Sequence, residues 1–276
     1  MQYDPIKRSL GKLFNATPGL RILFYRLLNL LLLRSWHIRR ELKKWANGRN
    51  KWGDILDAGS GFGQYSWTLS KLGDQYRIKG VDVKEEQIED CNHFFKKTGK
   101  AEQVSFFKGD LTQLVEPSAY DLILSVDVME HIEDDRKVFR NFHESLAPGG
   151  MLLISTPSDK GGSDAKEHHH DQVSGFIDEH VRDGYSPEDI HQKLRDAGFE
   201  KVETFYSYGK PGHISWLLSM KYPILMLNAS HLFFILLPFY YLVTWPVACI
   251  LNYLDTRQTH PEGTGLIVKA YKSPAP

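Results

Sequence analysis

The sequence predicts an α/β fold in which a doubly wound sheet of seven strands carries helices on both faces. Two observations predict it. From residue 52 onward, short β-like runs alternate with amphipathic helical stretches, and a glycine-rich segment follows the first run. Such alternation is typical of parallel strands joined by crossover helices. Two additions are expected: a basic N-terminal helix, and an apolar helical insertion before an antiparallel last strand.

Seven segments have the length and composition of strands. In chain order they read WGDILDAG, YRIKGVDV, QVSFFKGD, YDLILSVD, GGMLLIST, KVETFYSY and GLIVKAYK. Helices are predicted at about residues 64–72, 84–97 and 134–146, and the APGG segment at 147–150 should turn the chain into the fifth strand. A later helix should have Ser186 as its cap, Pro187 in its first turn and Gly198 as its stop.

These elements divide the chain into three expected parts. They are a basic arm over residues 1–47, a core formed by 48–210 and 262–273, and an apolar insertion over 211–261. The formal net charge of zero hides the arm, because residues 1–51 carry twelve Lys and Arg residues against Asp4 and Glu41. The rest of the chain is therefore acidic.

Cysteine content and the first residues indicate the compartment. The chain has two cysteines, Cys91 and Cys249, far apart in sequence, and its first ten residues lack the apolar segment of a signal peptide. We therefore expect a reducing, cytoplasmic setting without a disulfide.

The segment LDAGSGFGQYS (residues 56–66) places glycine at positions 59, 61 and 63. Glycines there let a ligand lie against bare backbone at the start of a helix. A dinucleotide fingerprint would need glycine where Gln64 stands, and the Gly-Lys-Ser/Thr of a P-loop is absent. The first three predicted strands end in acidic residues, namely Asp57, Asp82 and Asp110. Carboxylates at these positions suit a ligand with a cation, a ribose diol and an amine rather than one with phosphates. S-adenosylmethionine offers all three groups.

Five motifs in order resemble the class I S-adenosylmethionine-dependent methyltransferases, in particular the ubiquinone/menaquinone-biosynthesis-type (type 11) group. They are LDAGSGFG, GVDV, KGDL, YDLILSVDVMEHI and LAPGGMLLISTP, which together with the last strand cover about residues 50–207 and 265–272. The resemblance implies a Rossmann-like fold that binds S-adenosylmethionine.

The resemblance also implies roles for individual residues. Gly59, Gly61 and Gly63 would pass under the methionine portion. Asp82 would hold the ribose hydroxyls, Asp110 and Leu111 would frame the adenine, and Asp57 would order the loop and the cofactor's amine through an intermediary. The other expected cofactor-binding residues are Ser60, Gln64, Val83 and Val126.

The segment VDVMEHIEDD follows the fourth strand and contains the expected catalytic residues. Asp127, Glu130 and His131 stand at i, i+3 and i+4, which places them on one side of a helical turn. Either His131 acts as a general base oriented by Glu130, or the three groups gather a divalent metal. The alternative is that Asp127 and Glu130 cap the helix start and His131 packs under the loop.

Two further polar segments are candidate sites. In DEHVRDGYS, His180 with Arg182 and Tyr185 is expected at the acceptor's polar head, or else the segment is a hinge held by local salt bridges. In EHHHD (residues 167–171), neighbouring histidines on an extended loop point in different directions, so a solvated loop is expected and no metal ligand is assigned.

Residues 232–251, LFFILLPFYYLVTWPVACIL, are twenty consecutive uncharged residues, enough to span a bilayer core of about 30 Å. The strands on either side must share one sheet, so an odd number of crossings is excluded. We expect a shallow membrane hairpin, kinked at Pro238 and Pro246. The alternative is a helical lid or a homodimer interface.

The N-terminal segment LRILFYRLLNLLLLRSWHIRRELKKWA alternates leucine clusters with basic residues. This pattern is typical of a helix lying on anionic lipid, which favours peripheral or monotopic attachment to the cytoplasmic face of a membrane. The alternative is a helix that covers the sheet. Because leucines interleave with the basic residues, no nucleic-acid partner is expected.

These features together predict methyl transfer to a hydrophobic or lipid-like acceptor at the membrane surface, with oxygen as the favoured target atom. One alternative is a methyltransferase for sugars, polyketides or amines. The other is a scaffold that binds the cofactor without turnover.

Overall fold

A computed structural model describes residues 17–49, 51–161, 181–230 and 232–274. Within them one sheet contains the strands β1 (Gly53–Ala58), β2 (Tyr76–Asp82), β3 (Val104–Lys108), β4 (Tyr120–Val126), β5 (Leu146–Pro157), β6 (Lys201–Ser207) and β7 (Gly265–Tyr271). The strand order is β3-β2-β1-β4-β5-β7-β6. β1 to β5 pair in parallel, and β7 lies antiparallel between β5 and β6. The predicted doubly wound, seven-stranded sheet with an antiparallel last strand is confirmed.

The start of β5 differs from the prediction. Tyr120 pairs with Leu146, but Leu122 already pairs with Met151, so residues 147–150 form a bulge inside the strand. The APGG segment therefore does not precede the strand as a separate turn. Gly149 has a φ of +76°, a left-handed conformation that glycine adopts without steric cost and that accommodates the extra residues.

The N-terminal segment forms two helices, α1 (Pro18–Leu31) and α2 (Leu33–Ala46), rather than one. Leu32 between them is extended, with φ −86° and ψ 113°. The break lets both helices bury their apolar faces, because Tyr25 of α1 and Ile38 and Leu42 of α2 are fully buried. Glu41 of α2 lies 3.2 Å from Lys269 of β7, which fixes α2 on the sheet.

Four helices alternate with the strands as expected, namely α3 (Gln64–Leu69), α4 (Glu85–Lys97), α5 (Asp135–Ser145) and α6 (Pro187–Asp196). The side chain of Asp134 accepts a hydrogen bond from the Lys137 amide and so caps α5. Ser186 caps α6 in the same way, as predicted, by accepting from the Asp189 amide. α3 is shorter than predicted and ends at Leu69.

The apolar insertion is a helical hairpin. Its first arm runs through α7 (Lys210–Trp216), a π-helical turn (Leu217–Lys221) and α8 (Tyr222–Ala229), and its second arm is α9 (Phe233–Arg257). The hydroxyl of Tyr240 donates to the Leu218 carbonyl at 2.7 Å and that of Tyr241 to the Ser219 carbonyl at 2.8 Å, so the arms are tied near the π-helical turn. Within the described residues, α9 is long and apolar enough to cross a membrane, and 6% of its most apolar window is buried.

A fully buried carboxylate, Asp255, joins this hairpin to the rest of the molecule. Its oxygens lie 2.8 Å from His37 Nε2 and 3.2 Å from His260 Nε2. They also accept hydrogen bonds from the amides of Gly212 at 3.0 Å and Tyr208 at 3.3 Å. α2, α7, α9 and the end of β6 therefore meet at one buried carboxylate whose two oxygens both have hydrogen-bond partners.

The core has two layers, one on each face of the sheet. Leu56 and Ile123 pack with α5 and α6, whereas their neighbours Ile55, Leu122 and Leu124 pack with α1, α2 and α4. This alternation follows the two-residue period of a strand. Helices on both faces leave the carboxyl edge of the sheet open to a ligand.

Candidate active site

Polar groups converge on the edge of the sheet where β1, β2 and β4 end. Asp57, Asp82 and Asp127 lie at or directly after those ends, and Asp110 follows β3. β6 runs parallel to β1 because β7 is antiparallel to both β5 and β6. The chain therefore enters the apolar hairpin from the same edge, and Ser207 pairs with Gly265 where the hairpin returns.

The glycine loop between β1 and α3 lies across this edge. Gly59, Gly61 and Gly63 have φ values of +81°, +52° and +82°. A Cβ at residue 59 would lie 2.3 Å from the Val128 side chain, so glycine allows the loop to pack against the segment after β4. A Cβ at residue 61 would meet only one atom within 4 Å, so the loop faces open space there.

Asp82 ties the end of β2 to this loop. One carboxylate oxygen accepts from the Gly61 amide and the other from the Lys84 amide, both at 2.9 Å. Each oxygen retains a lone pair for a ligand hydroxyl. The side chain is half-buried, which strengthens such hydrogen bonds relative to water.

Asp57 lies beneath the loop and is shielded from solvent. Its carboxylate accepts a hydrogen bond of 2.5 Å from the Ser66 hydroxyl. Burial raises the pKa of Asp57 to about 6, although the hydrogen bonds from Ser66 oppose this shift. Asp57 therefore ties the end of β1 to α3, and its role in ordering the loop and the cofactor's amine stays a prediction.

These residues fit S-adenosylmethionine. The buried Ser60 hydroxyl has no hydrogen-bond partner within the described residues, which leaves a polar group available to a ligand at the loop. Val83 is 60% exposed beside Asp82, and the exposed Asp110 precedes the buried Leu111. A ribose would meet Asp82, and an adenine would lie between the flat apolar surface of Val83 and the Asp110–Leu111 backbone.

The segment after β4 carries the predicted catalytic residues. Asp127 has a φ of +51°, rare for a residue other than glycine, and its amide donates to the Ser155 carbonyl at 2.8 Å. Glu130 is buried and accepts a hydrogen bond of 3.2 Å from the Thr156 hydroxyl. Burial raises the pKa of Glu130, opposed by its own backbone hydrogen bond and by the nearby His131.

The structure separates the environments of these three residues. His131 is exposed at the end of a short 3-10 helix (Met129–His131), Glu130 faces the protein, and Asp127 is half-exposed. No side chain caps this 3-10 helix, so the alternative reading of Asp127 and Glu130 as its caps is not supported.

Arg34 is a site residue that the sequence analysis treated only as part of a basic helix. Its guanidinium forms an ion pair with Asp127, and its amide donates to the Tyr208 hydroxyl at 3.2 Å. Burial lowers the pKa of Arg34, but Tyr65, Tyr208 and Glu130 raise it above its ordinary value overall. The buried Nε atom has no partner within the described residues. No local motif could reveal this, because α2, β4 and β6 are distant in sequence.

A second unforeseen contact holds the glycine loop from α1. The Phe62 carbonyl accepts from Arg21 Nη2 at 2.7 Å and from the Tyr25 hydroxyl. Arg21 also pairs with Asp90 of α4. α1 therefore fixes the tip of the cofactor loop.

Three residues that were predicted to contact the cofactor or the acceptor have side chains that contact other parts of the protein. The buried Gln64 amide donates to Asn29 at 2.9 Å and to Ser35 at 3.2 Å, so it faces α1 and α2 instead of a cofactor. Tyr185 is fully buried, and its hydroxyl donates to Asp135 at 2.8 Å. Arg182 also pairs with Asp135, which corresponds to the hinge alternative rather than to an acceptor contact.

Two predicted features fall outside the described residues, namely His180 and the EHHHD segment at 167–171. Among the residues that are described, no group of three or more His, Cys, Asp or Glu side chains is placed to hold a metal ion.

Comparison with known proteins agrees with this geometry. A family profile described as a methyltransferase domain matches residues 29–204. The chain is 26% identical over 175 residues to the ubiquinone biosynthesis O-methyltransferase of Rickettsia felis, covering 60% of this chain and 68% of that enzyme. It is 27% identical over 149 residues to the sterol 24-C-methyltransferase of Candida albicans, covering 53% of this chain but 39% of the sterol enzyme.

A solved structure shares the fold. Phosphoethanolamine N-methyltransferase 2 of Haemonchus contortus, in complex with phosphomonomethylethanolamine and S-adenosylhomocysteine, superposes with a TM-score of 0.58 at 16% identity. The match covers 96% of this chain and 59% of that one.

Proposed function

The chain belongs to the S-adenosylmethionine-dependent methyltransferases, and on that premise we propose that it methylates a hydrophobic, lipid-like acceptor at a membrane surface, with oxygen as the favoured atom. The observation that carries this proposal is the position of the apolar hairpin. It leaves the sheet at the carboxyl end of β6, on the same edge of the sheet as the cofactor loop.

Bound S-adenosylmethionine supplies a methyl group on a positively charged sulfur. The chain's own contribution is to hold that group and an acceptor atom in line about 3 Å apart in a dry site. Asp82 and the backbone of the glycine loop would hold the cofactor, with Asp110 and Leu111 at its adenine. Gly61 leaves the loop surface free of a side chain where the ligand lies.

The residues after β4 would act on the acceptor. Arg34 pairs with Asp127 and fixes its side chain, so Asp127 is suited to orienting an acceptor hydroxyl. Glu130 is suited to accepting a proton because burial raises its pKa. The exposed His131 would pass that proton to solvent. His180 stays a predicted acceptor contact.

The hairpin would deliver the acceptor. Tyr208, at its root, contacts both Arg34 and Asp255. Exposed apolar side chains along α9, such as Phe239 and Leu242, suit insertion into the acyl boundary of a membrane. The relatives named for ubiquinone and sterol methylation also act on hydrophobic compounds, which supports an acceptor of this class.

Methylation of cell extracts with labelled S-adenosylmethionine tests the proposal. A membrane lipid extract and an aqueous metabolite extract are incubated in parallel with the full chain, and the labelled product is identified by mass spectrometry. We expect label in a single lipid-soluble product that carries a new methyl ether. The matched control is the Asp82→Asn variant.

Other outcomes identify the alternatives. Label confined to the aqueous extract contradicts the proposal and favours a sugar, polyketide or amine acceptor, with the hairpin as a lid or homodimer interface. Cofactor binding without a labelled product in either extract favours a scaffold that does not turn over.

A further inference from the structure

A basic groove lies between the N-terminal helices and α3. It contains a cavity of about 400 Å³ whose wall includes four cationic side chains, Arg26, Arg39, Lys43 and Lys71. A neighbouring cavity of about 580 Å³ shares Lys43 and Lys71 and adds Lys44. We call these two cavities the basic groove.

Among the cations of the groove, Lys44 pairs with Glu41, but in the described part of the chain Arg26, Arg39 and Lys43 lack the acidic partners that other basic residues of α1 and α2 have. Arg21 pairs with Asp90, Arg34 with Asp127, and Arg40 and Lys44 with Glu41. Within the described residues, Arg26, Arg39 and Lys43 form no ion pair, and no acidic residue lines either cavity. Like charges collected in one concavity repel each other, so the groove favours an anion.

Apolar residues in and beside the groove indicate which class of anion it binds. Leu30, Leu42 and Trp67 form the wall below the cations. Leu30 also continues a row with Leu23 and Leu27 on α1, at spacings of four and three residues, and all three are exposed. A ligand that offers a phosphate to the groove and acyl chains to this row matches both parts.

We propose that the basic groove binds the headgroup phosphate of an anionic phospholipid in a bilayer, with the α1 leucine row in the adjoining acyl region. This inference rests on the membrane attachment proposed above, but not on the identity of the acceptor. The groove confers selectivity for anionic lipid, whereas the uncharged α9 surface binds neutral and anionic lipid alike.

Vesicle co-sedimentation of the full chain tests the groove. The probes are vesicles of phosphatidylcholine alone and vesicles of equal parts phosphatidylcholine and phosphatidylglycerol. The groove variant combines Arg26→Gln, Lys43→Gln and Lys71→Gln. The control removes the same charges from exposed positions elsewhere, with Arg140→Gln, Lys96→Gln and Lys97→Gln. We expect the groove variant to bind the anionic vesicles about 150-fold more weakly, since each of the three basic residues removed contributes about 1 kcal/mol near an anionic surface. The control should change less than about threefold.

Circular dichroism and the S-adenosylmethionine Kd should be unchanged in both variants, because none of the substituted residues contacts the glycine loop. An equal loss in the control variant, or equal binding of the wild type to both vesicles, overturns the groove proposal and leaves the proposed acceptor class standing. The groove proposal is also overturned if inorganic phosphate or a single-stranded oligonucleotide binds the groove as tightly as the anionic vesicles do.

Discussion

At the scale of residues, the site combines carboxylates in distinct environments. Asp57 is buried under the loop, Asp82 is half-buried against the Gly61 amide, and Asp127 is paired with Arg34. These differences assign different tasks to the same chemical group, because burial favours the neutral carboxyl and a nearby cation favours the charged one.

We predict that Asp82→Asn weakens S-adenosylmethionine binding about 10- to 100-fold, because a hydrogen bond to a charged group contributes about 1.5–3 kcal/mol. The amide oxygen of asparagine can still accept from Gly61, so the loop should keep its conformation. Calorimetric titration measures the Kd. Glu86→Gln at the exposed start of α4 is the control, and an unchanged Kd for Asp82→Asn would remove Asp82 from the site.

Asp57 should make stability depend on pH. Its folded-state pKa of about 6 lies above the unfolded value of 3.8, so its contribution is complete below the unfolded pKa and is lost as the pH rises through 6. Relative to Asp57→Asn, the wild type should lose about 3 kcal/mol of unfolding free energy over this window. Urea denaturation at a series of pH values measures it, and parallel pH profiles would contradict the prediction.

Arg34→Gln should lower kcat/KM for the acceptor about tenfold or more, because Asp127 loses a charge-assisted partner. The Kd for S-adenosylmethionine should stay unchanged, since Arg34 does not contact the glycine loop. Steady-state kinetics with the acceptor identified from the labelled product would show this, with partial rescue in Arg34→Lys. Wild-type turnover in both variants would exclude a role at the site.

At the scale of elements, α1 serves two surfaces. Arg21 and Tyr25 hold the Phe62 carbonyl of the cofactor loop, while Arg26 and Leu30 line the basic groove. Arg26 and Leu30 share the groove with Arg39 and Lys43 of α2, because the break at Leu32 lets the two helices pack in different directions.

Tyr25→Phe should reduce the unfolding free energy by about 1–3 kcal/mol, because the buried hydroxyl both donates to Phe62 and accepts from Arg21. S-adenosylmethionine binding should weaken as the loop loosens. Chemical denaturation and calorimetry measure the two effects, and Tyr253→Phe, at an exposed tyrosine of α9, is the control. A stability loss with an unchanged Kd would limit α1 to a structural role.

At the scale of the whole molecule, the features assigned to catalysis lie at one edge of the sheet. The cofactor loop, the segment after β4 and the root of the apolar hairpin all lie at the carboxyl edge. The basic groove lies on α1 and α2, which cover one face of the same sheet. The cofactor edge and the two surfaces proposed to contact lipid are therefore built around the same sheet.

The double variant Leu242→Glu and Val243→Glu should abolish binding to neutral vesicles. These side chains are 75% and 73% exposed on α9, so the fold should tolerate the change, whereas each charge in the acyl region costs about 2.5–3.5 kcal/mol. Co-sedimentation measures binding, and size-exclusion chromatography measures the oligomeric state. A shift from dimer to monomer with unchanged vesicle binding would instead identify α9 as a subunit interface.

The sequence by itself determined the sheet, the cofactor edge and the existence of the hairpin. Strand periodicity, glycines at positions that need a left-handed backbone and acidic strand ends are local signals, and each follows from the chemistry of a few neighbouring residues. Ser186 and Gly198 delimited α6 for the same reason.

The tertiary structure decided which distant side chains meet. Arg34 joins Asp127 across 93 residues, Tyr25 joins the Phe62 carbonyl across 37, and Asp255 joins His37 across 218. It also turned Gln64 away from the cofactor, because the partners Asn29 and Ser35 came from helices whose packing no local pattern specifies. A basic amphipathic segment alone does not show which cations will be paired. Only the folded chain separates those that neutralise acidic partners from those left together in the groove.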